Sequence, residues 1–314
     1  MTGGAGFIGS HVVDRLLATY GQVVTVLDDF NDFYDPAIKR ENVAQFKGDV
    51  RVIEGDIRDA PLVERIFEAG EFDAVIHLAA RAGVRPSIEQ PELYLDVNIK
   101  GTFNILEAAR RARIERVLFA SSSSVYGLNP RVPFREEDAL LATISPYAAT
   151  KLAGEHLCSN YAHLHGLRVV ALRFFTVYGP RQRPDLAISK FCRAILDGRP
   201  VDKYGDGSTC RDYTYIDDIV AGVLGALSYR GPTFDIFNLG GSQTVTLDEL
   251  IDACEIACGK KATINQLPMQ PGDVPRTSAD VSKAERFLGF HPQTRVDAGV
   301  KKFVDWWRTV AGRS

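Results

Sequence analysis

The sequence lacks the features that mark membrane, secreted and nucleic-acid-binding proteins. No apolar run approaches the roughly 20 residues that a membrane-spanning helix needs. The 37 basic and 40 acidic residues give a net charge of −3 and form no basic block, which excludes binding of nucleic acid or anionic membrane by bulk charge. The N-terminus has no charged segment followed by an apolar one, so no export signal is expected. These absences predict a cytoplasmic protein.

Clusters of metal-ligating residues are also missing. The five cysteines are scattered without a CxxC pair, and the six histidines form no group. Cys254 and Cys258 lie four residues apart in an apolar helical pattern, where buried free thiols are expected rather than a metal site. The sequence therefore predicts that no metal is bound.

What the sequence does contain is the material of a large core. Hydrophobic residues make up 45% of the 314 positions and charged residues 25%. Short β-branched runs alternate with amphipathic segments in the first half, which predicts an α/β fold whose parallel sheet carries helices on both faces. The predicted strands are 23–27, 50–53, 74–78, 116–120 and 168–172, and the predicted helices are 10–20, 61–69, 98–113 and 146–165.

A glycine-rich motif, residues 3–9, leads directly into an apolar helix. Glycines let the backbone turn tightly and approach a pyrophosphate, and the helix N-terminus presents free N–H groups to it. An ordinary tight turn is the alternative for this motif alone. About 20 residues further on, Asp28 ends a strand, where a carboxylate accepts hydrogen bonds from the adenosine ribose and repels a 2′-phosphate. Although Asp28 alone also fits a solvated loop acid, the pair of signals predicts NAD rather than NADP.

A second group of residues suggests the chemistry. Tyr147 and Lys151 lie at i and i+4, on one helix face. A neighbouring ammonium lowers the pKa of a phenol from about 10, so the phenolate can act as general base on an alcohol. The strand 116–120 runs into the serine-rich loop 121–127 at the carboxyl end of the sheet, where such sheets bind ligands. A surface pair is the alternative for Tyr147 and Lys151 alone, but the whole set predicts oxidation of a substrate alcohol.

In this order along the chain, TGGAGFIGSH, LAARAGV, SSSSVYG, YAATK, RFFTVYGPRQRP and GDGSTCRDYTYIDD resemble the extended short-chain dehydrogenases/reductases. The resemblance is to their NAD-dependent sugar-nucleotide epimerase/dehydratase group and covers essentially the whole chain. It implies a Rossmann-like, doubly wound parallel sheet with a smaller mixed α/β C-terminal substrate lobe. Residues 1–175 would form the NAD-binding domain, with some later segments returning to it, and residues 176–314 mainly the UDP-sugar lobe. A homodimer through helices 98–113 and 146–165 is also implied.

The resemblance further implies roles for individual residues. Tyr147 would be the base, Lys151 its pKa partner and a ribose ligand, and Ser122 the hydroxyl that shares the substrate proton. NAD would stay tightly bound and be regenerated in each turnover. The other cofactor-binding residues would be Gly3, Gly6, Phe7, Ile8, Gly9, Asp28, Asn31, Asp56, Ile57, Leu78, Ala79, Ala80 and Asn98. The other substrate-binding residues would be Ser123, Ser124, Arg85, Thr176, Arg183, Tyr204, Arg211, Gln270 and Asp273.

The serine-rich loop distinguishes the reactions of this group. Family dehydratases and decarboxylases carry an Asp or Glu in the loop, whereas none occurs between Ser121 and Gly127, which favours a 4-epimerase. The segment around Arg183 is similar to the glucuronate subgroup, in which an arginine at this position helps to recognise the sugar carboxylate. Pairing of Arg183 with Asp185 or with a phosphate is the alternative. The expected reaction is inversion of C4 of UDP-glucuronate, through a 4-keto intermediate, to UDP-galacturonate.

Other substrates remain open at this stage. Gln270 stands where many glucose-type epimerases carry Arg, and Thr176 where they usually carry Asn. Thr277 is small and leaves room for a larger C2 substituent. A UDP-glucose/UDP-galactose or N-acetylhexosamine 4-epimerase is therefore the alternative, and a non-catalytic NAD-binding relative is the remote one.

The family places an apolar strand of about five residues before the glycine motif. Only Met1 and Thr2 precede Gly3 in this sequence. Either further residues precede this start in the natural protein or the first strand is a stub. A stub would give the phosphate-binding loop less support.

Overall fold

The computed structural model describes residues 1–20, 22–140, 142–269 and 274–311, so the predicted substrate residues Gln270 and Asp273 lie outside the described residues. The α/β fold expected from the sequence is confirmed. The strands are β1 (Val24–Asp28), β2 (Val50–Glu54), β3 (Ala74–His77), β4 (Arg116–Ser122), β5 (Arg168–Phe174), β6 (Thr176–Tyr178), β7 (Val201–Tyr204), β8 (Cys210–Tyr215), β9 (Phe234–Leu239), β10 (Thr244–Thr246) and β11 (Ile264–Leu267).

Helices connect these strands. They are α1 (Phe7–Tyr20), α2 (Pro36–Ala44), α3 (Ala60–Ala69), α4 (Val84–Glu89), α5 (Pro91–Leu95), a π-helix (Asp96–Gly101), α6 (Thr102–Arg111), a 3-10 turn (Ser123–Tyr126), α7 (Pro146–His165), α8 (Ala187–Asp197), α9 (Ile216–Ser228), α10 (Leu247–Cys258), α11 (Ser282–Leu288) and α12 (Val296–Ala311).

The main sheet is parallel throughout. Its spatial order is β2-β1, then Thr2, then β3-β4-β5-β9. Thr2 bridges Leu27 on one side and His77 on the other, and its backbone N–H and carbonyl bond Ile76 and Leu78 at 3.0 and 3.1 Å. The sheet is therefore continuous through Thr2, and the glycine loop that follows lies at the carboxyl ends of its neighbours.

Helix α7 carries the predicted Tyr–Lys pair and begins and ends where the sequence predicts. The Ser145 hydroxyl accepts a hydrogen bond from the Ala148 N–H at 3.1 Å, and Pro146 occupies the first turn, where its missing N–H costs nothing. Gly166 ends the helix in the left-handed conformation (φ 69°). The two caps fix which turn presents Tyr147 and Lys151.

The predicted single α-helix over 98–113 is wrong in its first turn. Residues Asp96–Gly101 form a π-helix, and α6 follows. The Asn98 side chain bonds the backbone N–H and carbonyl of Arg81 and the Thr150 hydroxyl, at 2.8, 3.0 and 3.0 Å. These contacts reach residues far along the chain, so hydrophobic periodicity does not reveal them.

The later part of the chain builds a smaller mixed lobe and returns once to the main sheet. Strands β10, β8 and β6 form one small sheet with antiparallel and parallel pairs, and β11 pairs with β7 in another. Strand β9 leaves this lobe to pair with β5. Among the residues that the structure describes, no helix has the length and apolar character to cross a bilayer. Cys254 and Cys258 are buried thiols outside any disulfide, as their apolar helical pattern predicts.

Candidate active site

A cavity of about 490 Å³ opens at the carboxyl ends of β1, β3 and β4. We refer to it as the first cavity. Most of the predicted site residues line it: Gly3, Gly6, Phe7, Ile8, Gly9, Asp28, Asn31, Asp56, Ile57, Leu78, Ala79, Ala80, Ser122, Ser124, Tyr147, Lys151, Thr176 and Arg183.

The glycine loop packs too closely against the segment after β3 to accept a side chain at Gly3. Gly3 has φ +70°, and a Cβ there would lie 2.6 Å from the Ala79 backbone nitrogen. Both the conformation and the contact exclude other residues at this position. The loop therefore brings bare backbone and the N-terminus of α1 to the wall of the cavity, as an anionic ligand requires.

Asp28 ends β1 as a buried and fixed carboxylate. Its oxygens accept hydrogen bonds from the backbone N–H groups of Ala5 and Phe30, each at 3.1 Å. Burial raises the pKa of Asp28, an effect that these bonds and the charge of Lys39 oppose. The Lys39 ammonium donates to the Asn31 carbonyl at 3.0 Å and lines the same cavity. A fixed carboxylate with a cation beside it therefore marks one end of the cavity.

The wall formed by Leu78–Arg81 contains an unused donor. The buried Nε of Arg81 has no hydrogen-bond partner among the described residues, although Arg81 lines the cavity. Asn98, predicted to contact the cofactor, instead lies behind this wall and braces it through the backbone of Arg81. Asp56 lines the cavity but bonds Arg58 at 2.7 Å. A buried guanidinium donor in the lining of the same cavity as the glycine loop fits an anion such as a diphosphate.

Tyr147, Lys151 and Ser122 meet at the other end of the cavity. The Lys151 ammonium donates to the Ala120 carbonyl at 2.7 Å, and burial lowers the pKa of Lys151 to about 8. Burial raises the pKa of Tyr147, while its hydrogen bond to Ser122 and the charge of Arg183 oppose the rise. The Ser122 hydroxyl donates to the Ser124 hydroxyl at 3.1 Å and accepts from the Ser124 N–H at 3.2 Å. The arrangement can take a proton from an alcohol and return it.

Ser123 is absent from the cavity lining.

Arg183 also reaches the first cavity, where it holds a carboxylate of the chain itself. Its Nε and Nη2 donate to the two oxygens of Asp185 at 3.0 and 2.8 Å, and its guanidinium lies 5.1 Å from the centre of the Phe33 ring. Burial alone would lower the pKa of Arg183, but the pair with Asp185 raises it. The side chain is therefore a charged, oriented fork suited to bidentate recognition of a carboxylate.

A second cavity of about 590 Å³ adjoins the smaller lobe. Three predicted substrate residues line it, Arg85, Tyr204 and Arg211, and the Arg85 guanidinium lies 5.7 Å from the centre of the Tyr204 ring. Asp185 lines this cavity while its partner Arg183 lines the first. The ion pair thus stands where the two cavities approach each other. Further cations of the second cavity are Lys190, Arg193 and Arg199.

Sequence reasoning missed several contributors to the site. Arg81 lies in the segment that follows the buried strand β3, and a position beyond the carboxyl end of such a strand is a usable signal for a cavity residue. Tyr94 packs edge-on against the Tyr147 ring, with the ring centres 6.2 Å apart, and donates its hydroxyl to the Ala82 carbonyl at 2.9 Å. Nothing in the periodicity of α5 distinguishes Tyr94 from an ordinary core tyrosine. Lys39 likewise has no local signal, because folding alone brings it to Asp28.

Known proteins resemble this chain along nearly its whole length. UDP-glucuronate 4-epimerase 1 of Arabidopsis thaliana is 43% identical, over 99% of this chain and 77% of the relative. The crystal structure of UDP-glucuronic acid 4-epimerase from Bacillus cereus with UDP-glucuronic acid and NAD superimposes with a TM-score of 0.91 at 35% identity, covering 98% of each chain. The UDP-glucose 4-epimerase of Thermotoga maritima with UDP-glucose also gives 0.91, at 33% identity, over 99% of this chain and 98% of that one.

The family model for GDP-mannose 4,6-dehydratase matches residues 1–303. The match includes the glycine loop, the serine-rich loop and the Tyr–Lys pair of α7. The resemblance to extended short-chain dehydrogenases/reductases noted in the sequence is thereby confirmed. The chain belongs to the GDP-mannose 4,6-dehydratase family of extended short-chain dehydrogenases/reductases.

Proposed function

We propose that this protein is an NAD-dependent epimerase that inverts C4 of UDP-glucuronate through a 4-keto intermediate, giving UDP-galacturonate. The observation that carries the proposal is the position of Arg183, whose carboxylate-binding fork lines the same cavity as Tyr147 and Lys151. The names of the relatives support it, since UDP-glucuronate 4-epimerases of plants and of Bacillus cereus match over nearly the whole chain.

The residues of the first cavity fit NAD. The glycine loop and the unpartnered Arg81 Nε suit the diphosphate, and Asp28 suits the adenosine ribose. Asn31, Asp56 and Ile57 would hold the adenosine end, and Leu78–Ala80 with Lys151 the other end. When bound, NAD supplies a site that accepts a hydride from C4 and gives it back.

The chain itself handles the proton. Tyr147 takes the proton of the C4 hydroxyl, and Ser122, next to that phenol, shares in the hydrogen bond to the same hydroxyl. The Ser124 hydroxyl, which accepts from Ser122 at 3.1 Å, helps to fix the Ser122 side chain. The Lys151 ammonium, fixed on the Ala120 carbonyl, stabilises the phenolate electrostatically. Tyr147 would then return this proton to the C4 oxygen. The inversion itself follows from the 4-keto sugar presenting its opposite face when the hydride comes back to C4.

Arg183 gives the site its selectivity for an acidic sugar. A 4-keto sugar with a carboxylate on C5 is a β-keto acid, which loses CO₂ when the carboxylate bond aligns with the ketone. A bidentate arginine orients the carboxylate and so opposes that alignment. The loop Ser121–Gly127 adds no carboxylate that would repel the substrate or supply an acid for elimination.

The UDP group occupies the second cavity in this proposal. Arg211 contacts the diphosphate, Tyr204 the uracil face, and Arg85, close to the Tyr204 ring, adds a further positive charge for the sugar nucleotide. Gln270 and Asp273 keep the substrate roles that their motif implies. Residues 1–175, with β9 returning, form the NAD domain, and residues 176–314 form mainly the UDP-sugar lobe.

The enzyme works as a homodimer in the cytoplasm in this proposal. Helices α6 and α7 pack side by side, and two large apolar side chains, Phe103 on α6 and Leu95 at the end of α5, are 40% and 50% exposed. Such residues suit a helical interface with a second copy. All five cysteines are free thiols, as is usual in a reducing compartment.

UDP-glucose is the second candidate substrate, favoured by the similarity to the UDP-glucose 4-epimerase of Thermotoga maritima. To decide, purified protein is incubated with UDP-glucuronate and, separately, with UDP-glucose, and C4 epimers are quantified by NMR. We expect epimerisation of UDP-glucuronate without CO₂ release. Turnover of UDP-glucose alone would contradict the assignment, and release of CO₂ would identify a decarboxylase instead.

A further inference from the structure

A buried ion pair lies one helical turn beyond Lys151. Glu155 of α7 and Arg173 of β5 are each at most 3% exposed, and the two Arg173 nitrogens Nε and Nη2 donate to the two Glu155 oxygens at 2.9 and 2.8 Å. The Ser121 hydroxyl donates to Glu155 Oε1 at 2.5 Å. One carboxylate thus joins the catalytic helix to the ends of β4 and β5.

Each charge of this pair is satisfied by polar neighbours. Arg173 Nη1 donates to the Tyr126 hydroxyl at 2.9 Å, and that hydroxyl donates to Asn238 of β9 at 2.7 Å. Burial disfavours the charged form of Arg173, yet its bonds to Glu155 raise its pKa. Buried charges are costly and such pairs are weak sources of stability. An ion pair that is fully hydrogen-bonded and joins the sheet to α7 therefore points to a role in positioning the residues of the active site.

We propose that Glu155 is a positioning residue, whose carboxylate fixes the end of β4 through the hydroxyl of Ser121. Ser121 lies between two residues that act in the site. The Ala120 carbonyl accepts the hydrogen bond of Lys151, and the Ser122 hydroxyl bonds the catalytic phenol. Holding Ser121 against α7 therefore fixes the distances within the catalytic set before substrate binds. This inference rests on the proposed function only for its kinetic readout.

The same carboxylate favours the protonated form of Lys151, one turn away, against the burial that lowers its pKa. Other groups around Tyr147 and Lys151 contribute to the electrostatic potential at this pair, and none of these groups is hydrogen-bonded to Ser121. They are Cys158 on α7, His77 on β3, Tyr94 on α5 and Arg183 after β6, with the Phe119 ring of β4 over Lys151.

The test removes the contact to β4 and leaves the ion pair intact. Ser121→Ala deletes only the hydroxyl that Glu155 accepts from. We expect kcat to fall about tenfold or more with KM nearly unchanged, because small displacements of catalytic groups have large kinetic effects. We also expect the phenol of Tyr147 to titrate at higher pH, because its bond to Ser122 weakens. That titration is read from ultraviolet difference absorbance, with Tyr147→Phe as the blank, and needs no substrate.

A matched control exists in a second hydroxyl–carboxylate–cation set remote from both cavities. The Tyr229 hydroxyl donates to Asp235 at 2.5 Å, and Asp235 is paired with Lys283 at 2.5 Å. Tyr229→Phe should lower the melting temperature as Ser121→Ala does, but leave kcat within about twofold of the parent enzyme. A purely structural role for Ser121 and Glu155 predicts the same behaviour for the two variants, and that result would overturn the proposal.

A second pair of substitutions tests the charge. Glu155→Gln alone leaves Arg173 buried and unpaired, so it is combined with Arg173→Met to keep the interior neutral. Without the carboxylate, Lys151 loses its proton at lower pH, and the alkaline limb of the kcat–pH profile should move down. An unmoved limb, together with unchanged Tyr147 titration in Ser121→Ala, refutes the positioning role. If the parent enzyme turns over no UDP-sugar, the proposed function fails and the titration alone decides this inference.

Discussion

At the scale of the residue, Arg183 is paired with a carboxylate of the chain itself, that of Asp185. Asp185 accepts from Nε and Nη2, on one edge of the guanidinium. A substrate carboxylate that binds this edge must replace Asp185, which makes that residue an internal competitor. Pairing with Arg183 also holds the pKa of Asp185 below its usual value, against the effect of burial, so the competitor stays ionised at neutral pH.

Two substitutions separate these contributions. Arg183→Ala should lower kcat/KM for UDP-glucuronate about a hundredfold, since it removes two charge-assisted bonds, and change turnover of UDP-glucose about threefold at most. Asp185→Asn should lower KM for UDP-glucuronate, because the competing charge is gone. Asp305→Asn, at the exposed pair with Lys301 on α12, is the matched control and should change neither constant. Equal loss with both sugars in Arg183→Ala would refute carboxylate recognition.

The lowered pKa of Lys151 sets an upper pH limit for activity. The ammonium is charged below about pH 8 and neutral above it, whereas an ordinary lysine stays charged up to about pH 10. Because the charged form stabilises the phenolate of Tyr147, kcat should fall as pH rises through about 8. A kcat profile that stays flat to about pH 10 would contradict the role of Lys151.

Individual residues differ in how far the sequence identifies them. Tyr147, Lys151 and Asp28 are recognisable because their partners are fixed by helix or motif spacing. Lys39, Tyr94 and Arg81 contribute through contacts that exist only after distant segments meet. Local patterns carry no record of such contacts, so reasoning from the sequence leaves them out.

At the scale of the element, β3 is tied to its neighbours by a buried imidazole. His77 Nδ1 lies 2.7 Å from the Thr2 hydroxyl and Nε2 lies 3.0 Å from the Thr102 hydroxyl of α6. Burial, with the charge of Lys151, lowers the pKa of His77 to about 3. The imidazole is therefore neutral in the folded protein over the whole ordinary pH range.

This neutral imidazole makes the fold sensitive to acid. Below about pH 6.5 the unfolded chain binds a proton at His77 that the folded protein does not bind. The free energy of unfolding therefore falls as pH decreases toward 3. One such proton amounts to about 1.4 kcal/mol per pH unit. Chemical denaturation at several pH values should show this slope, and His77→Gln should flatten it. An unchanged slope in His77→Gln would assign the acid sensitivity to other groups.

Helices were predictable where their ends carry local signals. Ser145, Pro146 and Gly166 mark the bounds of α7 in the sequence, and the structure has the same bounds. The π-helix Asp96–Gly101 has no such signal, since tertiary contacts of Asn98 accompany it. Element type thus followed from the sequence, while an irregular turn beside the site did not.

At the scale of the whole molecule, the proposed homodimer depends on exposed apolar residues of α6 and of the end of α5. Phe103→Glu should place a charge in the interface and convert a particle of about twice 34.6 kDa to one of that mass, measured by light scattering. Ile256→Glu changes an equally apolar residue, 80% exposed on α10, and should leave the mass unchanged. A parent protein that is monomeric at working concentration would refute the dimer.

The return of β9 to the main sheet limits how this enzyme can be recombined with its relatives. Six residues from the later part of the chain pair with β5 between Val169 and Phe174, and Asn238 among them bonds the Phe134 carbonyl at 3.0 Å. A chimera that exchanges everything after residue 175 to change sugar preference would also exchange a strand of the main sheet. Substrate preference is therefore better transferred by replacing the segments before and after β9 separately, with that strand kept in place.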